Sequence, residues 1–107
     1  MAVRPRDTEL RVRVLAILAL RETYGYELVQ ALRRIDAGLE SSEGSVYPTL
    51  RRLERDGLAT GHWVEIGADV PRRRYYTLTP KGLAEVARLR PSPRLVRASR
   101  RFGELRP

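Results

Sequence analysis

The spacing of apolar residues changes at Gly57, and that change decides which folds the chain can adopt. Before it, apolar side chains recur every three or four residues, the period of amphipathic helices. After it, in "LATGHWVEI", they alternate, which places His62, Val64 and Ile66 on one face of a strand and Trp63 and Glu65 on the other. The stretch "RRYYTLT" is similarly extended and is expected to pair back across Gly67–Pro71, giving a two-stranded antiparallel hairpin. Thr79-Pro80 then sets a capping residue ahead of a proline at the first helical position, so a further helix is predicted to run to about Arg90.

Three helices are predicted ahead of the hairpin. The first runs from Asp7 or Thr8 to about Leu20, with Leu10, Val14, Ile17 and Leu18 in one stripe and Val12, Leu15 and Ala19 widening it. The second, "YGYELVQALRRI", is capped by Thr23 and ends near Gly38. The third starts at Ser42 or Ser45 and ends on Gly57 as a left-handed C-cap. Its Pro48 must lie near the first turn, because proline lacks the N–H that an interior helical position donates. The expected organisation is a basic arm over 1–6, a domain over 7–78, and a C-terminal helix with a proline-interrupted tail over 79–107.

Composition narrows the functional classes. A chain of 107 residues, 42% hydrophobic, supports one modest core. The absence of cysteine removes disulfides, thiolate metal sites and cysteine nucleophiles. "VRVLAILAL" is too short to span a bilayer and no small-residue cleavage site follows it, so a cytoplasmic protein with no membrane partner is expected. A net charge of +8 favours an anionic partner. Lys81 is the only lysine, however, and GC-rich coding sequence can enrich arginine by itself. Where the arginines stand therefore says more than how many there are.

The third predicted helix is where they stand to most effect. Val46, Leu50 and Leu53 form its apolar stripe, while Ser45, Tyr47, Pro48, Arg51, Arg52 and Arg55 occupy its other sides. Hydroxyls and guanidiniums suit both base edges and phosphates. The plainer alternative is a solvated face on which these arginines pair with Glu54 and Asp56. In the hairpin, Arg72, Arg73 and Arg74 follow a tight turn, and alternation puts Arg72 and Arg74 on one face and Arg73 on the other. Tyr76 and Leu78 are expected to point inward, and Trp63 to pack within the hairpin rather than serve as a ligand platform. Three helices, a hairpin and a further helix, with the third helix and the hairpin both basic, make a mainly α winged helix-turn-helix.

Four stretches, "ILAL" with "YGYEL" close behind it, "SEGSVYPTLRRLERDGL", "PRRRYYTLT" and "PKG", occur in order between Val14 and Leu89. In this the chain resembles the PadR-type transcriptional regulators. The resemblance implies a homodimeric repressor on a palindromic double-stranded DNA operator. It places Tyr24 and Gly25 near a phosphate at the start of the second helix, and Ser45, Tyr47, Pro48 and Thr49 at the opening of the recognition helix, with Ser42 beside them in the candidate DNA-contact set. Such proteins usually carry a long dimerisation helix, which Pro91 and Pro93 interrupt here. Leu95, Phe102 and Leu105 in the tail, with Leu10, Val14, Ile17 and Leu18 of the over-apolar first helix, are therefore the expected interface.

No enzyme is expected, since His62 is the sole histidine and no glycine-rich phosphate loop appears. No obligatory cofactor is implied, and the effector, a small molecule or a metal ion, stays open. His62 and Glu65 are the metal candidates by residue type, yet they face opposite sides of a strand. Two other functions compete: a winged-helix protein-interaction module, which would need an exposed apolar patch, and an architectural protein that binds DNA regardless of sequence.

Overall fold

The computed structural model describes residues 5–35 and 43–89. Ser42, the predicted ends of the second and fourth helices at Gly38 and Arg90, and the tail with Leu95, Phe102 and Leu105 lie outside them, as do residues 1–4 of the predicted arm. The elements in order are α1 (Pro5–Leu20), β1 (Thr23–Tyr24), α2 (Gly25–Ile35), α3 (Glu43–Arg55), β2 (Ala59–Val64), β3 (Arg73–Leu78) and α4 (Pro80–Leu89).

The helix α1 begins two residues earlier than predicted, with Pro5 in its first turn where a missing N–H is harmless. It is the centre of the molecule, touched by α2, α3, β3 and α4. That position overturns the expectation for Leu10, Val14, Ile17 and Leu18: all four are buried in the chain's own core, together with Leu15. An apolar stripe wider than one neighbour needs arises here because neighbours surround the helix, and a second copy is not required to cover it.

The hairpin gains a third strand. Thr23 and Tyr24 form β1 and pair antiparallel with Tyr76 and Tyr75, so the sheet order is β1-β3-β2. The helix α2 accordingly starts at Gly25, and the hydroxyl of buried Thr23 donates to Glu27 at 2.5 Å instead of capping the helix backbone. Strand β2 stops at Val64, short of Ile66. Its pairing with β3 runs without a bulge from Ala59 opposite Leu78 to Val64 opposite Arg73, and a Gly67–Val70 bridge closes the tip around Ala68 and Asp69.

Two predicted boundaries hold in atomic detail. Gly57 has φ +78°, its amide bonds to the Glu54 carbonyl at 3.1 Å, and the Leu58 amide bonds to the Leu53 carbonyl at 2.8 Å. These are the two bonds of a Schellman motif, with buried Leu53 and Leu58 supplying its apolar contact. Thr79 caps α4: its Oγ1 accepts from the Gly82 amide at 3.0 Å while its hydroxyl donates to the Gly57 carbonyl at 2.6 Å. Pro48 is less conventional. It is the sixth residue of α3, beyond the first turn that its chemistry was expected to require, and it removes one bond of the helical ladder. Leu78, Val86 and Leu89 pack onto the same core as the rest, so α4 is no separate unit.

Candidate nucleic-acid interface

On α3, Val46, Leu50 and Leu53 are fully buried, and the opposite sides carry exposed Tyr47, Arg51, Arg52 and Arg55. The helix is held by its apolar stripe, which leaves the polar sides outward. Glu54 and Asp56, the anions that could have neutralised those arginines, have other partners. Glu54 bonds to Arg74 at 2.8 Å, and Asp56 bonds to Arg11 at 3.3 Å and only loosely to Arg55 at 3.5 Å. The pairing expected of a solvated face is thus met by Arg55 alone, and among the described residues neither Arg51 nor Arg52 has an ion pair with these carboxylates.

Alternation along β3 sorts the hairpin side chains as predicted. Toward α3 stand Trp63, Arg72 and Arg74, with the guanidiniums of Arg72 and Arg74 at 5.0 and 5.3 Å from the Trp63 ring centroid. On the other side, Arg73 lies 4.6 Å over Tyr24, whose ring meets Tyr75 at 5.2 Å. His62 continues that row: its ring stacks on Tyr75, and its Nε2 lies 3.1 Å from Glu22. Among the described residues no group of three or more histidines and carboxylates could hold a metal ion, and Glu65 is exposed.

Between α3 and the hairpin lies a groove of about 790 Å³. Tyr47, Arg51 and Glu54 form one wall, Trp63 and Val70–Arg74 the other, and Tyr24, Gly25 and Tyr26 the end. Gly25 is there for space, since a Cβ at that position would clash with the edge of the Tyr47 ring. The structure thus brings together Tyr24, Gly25, Tyr47, Arg51 and Arg72–Arg74. It leaves Ser45, Pro48, Thr49, Arg52 and Arg55 outside the groove walls, of which Arg52 and Arg55 are exposed. Thr49 departs furthest from expectation: it is 6% exposed and its hydroxyl donates to the Ser45 carbonyl at 2.9 Å, so it faces the helix and not a base.

Two further expectations change. Arg73 and Arg74 are in β3 and half-buried, while the turn itself carries Ala68 and Asp69, so the basic part of the hairpin is its flank and not its tip. Trp63, 55% exposed, is a wall of the groove and not a packed core residue. Glu54 was legible only as a possible partner of neighbouring arginines; its bond to β3 depends on the hairpin folding back over α3. Burial opposes the charge on Arg74, but the adjacent Glu54 carboxylate and hydrogen bonds outweigh it and hold the guanidinium more firmly protonated than usual.

A helix bearing guanidiniums outward, set beside a hairpin with an open groove between them, defines the winged helix-turn-helix class. Residues 14–88 match the transcriptional regulator PadR-like family. The chain belongs to that family, whose members are transcriptional regulators and not enzymes. It is 40% identical over 75 residues to the transcriptional regulator Rv3488 of Mycobacterium tuberculosis, covering 70% of this chain and 66% of that one. It is 40% identical over 53 residues to the transcriptional regulator YqjI of Escherichia coli, covering 49% of this chain and 26% of that one. This chain therefore spans about two thirds of the first relative and about a quarter of the second. Among solved structures, a PadR-like transcription factor from Bacteroides fragilis superposes with TM-score 0.70 at 34% identity, covering 78% of this chain and 79% of that one. Bacillus subtilis PadR in complex with operator DNA superposes with TM-score 0.68 at 25% identity, covering 79% of this chain and 49% of that one.

Proposed function

We propose that this chain binds double-stranded DNA through α3 and the hairpin, as a cytoplasmic homodimeric repressor that reads a palindromic operator and is released by an effector. The observation that carries the reading is the pairing of exposed Tyr47 and Arg51 on α3 with Arg72 across one groove, where donors from two elements face the same space. Arg51 and Arg72 supply phosphate contacts, and Tyr47, nearer the start of the helix, meets base edges. The likeness to a PadR solved on operator DNA supports this assignment. Dimerisation brings two such helices to adjacent turns of the duplex, about 34 Å apart, and an effector that changes this spacing lowers affinity. With the α1 stripe buried, the second copy falls to surfaces such as half-exposed Leu83 on α4 and to the tail.

Selection of genomic fragments on the purified protein, followed by competition with unrelated DNA, tests the reading. Operator recognition requires the selected fragments to resist competition by random sequence; equal competition would mean an architectural DNA-binding protein. No DNA binding at low salt would leave the protein-interaction alternative.

A further inference from the structure

We propose that Glu54 is a positioning residue that locks the hairpin to the recognition helix, so that Arg51 and Arg72 meet one duplex at a fixed separation. The proposal rests on the DNA-binding reading above. A single carboxylate oxygen, Glu54 Oε2, accepts from the Gly61 amide at 3.2 Å and from Arg74 Nη2 at 2.8 Å. Gly61 is in β2 and Arg74 in β3, so one side chain of α3 holds both strands of the hairpin.

The site is shaped around this contact. A Cβ at Gly61 would come within 2.7 Å of Arg74 Nε, so the missing side chain is the room in which the guanidinium lies. Over the guanidinium, the Trp63 and Tyr76 rings stand at 5.3 and 5.7 Å, which leaves it little freedom to swing toward solvent. The sign of the charge also matters. A carboxylate beside a polyanion repels it, and pairing with Arg74 cancels that field. Arg74 is consequently turned inward, and exposed Arg72 is the outward cation on the same face.

The test uses E54A, E54Q, R74M and the E54A/R74M double variant of the full chain on two labelled duplexes, one selected by the wild-type protein and one of random sequence. Trp63, the sole tryptophan, reports on the hairpin without DNA through its fluorescence anisotropy decay. E54A is expected to weaken binding to the selected duplex about tenfold, the size of one misplaced specific contact. R74M, which leaves the Glu54 carboxylate uncancelled beside the duplex, should weaken it at least as much, the double variant, which keeps the wild-type net charge, should lose no more than R74M, and E54Q should fall between wild type and E54A. Each variant should show faster local motion of Trp63. Were Arg74 itself a phosphate contact, removing Glu54 would delete an anion and release a cation, and E54A would bind more tightly. Tighter binding, or an unchanged Trp63 decay, overturns the proposal. If E54A unfolds at the assay temperature, E54Q keeps the side-chain volume and carries the same test of sign. A wild-type protein that binds neither duplex refutes the DNA reading, while the Trp63 decay still decides whether Glu54 holds the hairpin.

Discussion

Two glycines show how differently one missing methylene can act. At Gly57 the surroundings are open, with only the Lys81 side chain at 3.8 Å from a would-be Cβ, and the constraint is the φ of +78°. Replacing it with alanine should therefore cost about 1–2 kcal/mol through backbone strain alone, measurable as a lower urea midpoint with DNA binding kept. At Gly25 no unusual φ is involved, but a Cβ would collide with the Tyr47 ring. Gly25→Ala should cost about 1–3 kcal/mol by overpacking, and should also displace Tyr47 and impair discrimination between selected and random DNA. If the two variants have the same DNA-binding phenotype, Tyr47 does not read bases. Gly57 was legible as a helix stop from its place after a basic last turn, whereas the role of Gly25 depends on a ring 22 positions away in the sequence.

Among the elements, the proposed reading divides DNA contact between α3 and the hairpin. Arg51→Ala should weaken selected and random duplexes alike and reduce the slope of log affinity against log salt by about one, as expected for one lost phosphate contact; Arg74→Met should leave that slope unchanged. Thr79→Ala should cost about 0.5–2 kcal/mol in urea denaturation, because the hydroxyl both caps α4 and reaches the Gly57 carbonyl. The helices and the hairpin could be read from the chain because each announces itself locally, through stripe, cap or alternation. Strand β1 could not: two residues have no period, and Thr23-Tyr24 is extended only because Tyr76 and Tyr75 lie beside it. Trp63 departs from the packing expected of it for a related reason. A two-residue turn at Ala68–Asp69 puts Gly67 opposite Val70 and hence Trp63 opposite Arg74, and that register makes the indole a partner of arginines.

For the whole molecule, the decisive feature is the central position of α1. Because Ile17 is fully buried among the other elements, Ile17→Ala should destabilise the fold itself by about 2–5 kcal/mol. Leu83, 51% exposed on α4, offers the contrast. Leu83→Glu should leave the melting of dilute protein nearly unchanged while lowering the dimer fraction in sedimentation. Equal dimer fractions for Leu83→Glu and wild type would remove α4 from the interface. The width of the apolar stripe on α1 was visible in the chain, but amphipathic spacing reports how much of a helix is covered without saying by what. Here the coverers are α2, α3, β3 and α4, elements from every part of the described chain.

The junction between α3 and α4 works as a rigid elbow. Besides the Thr79 bond to the Gly57 carbonyl, the Thr79 amide reaches the Leu58 carbonyl at 3.1 Å and Lys81 Nζ reaches the Asp56 carbonyl at 2.9 Å. Gly82 lies so close to the Leu58 carbonyl that a Cβ would strike it. The start of one helix is thus tied to the end of the other through the backbone carbonyls of Asp56, Gly57 and Leu58. The first turn of α4 cannot shift without breaking bonds to the last turn of α3, so on the DNA-binding reading proposed above a partner seated on α4 would act on the recognition helix through these carbonyls.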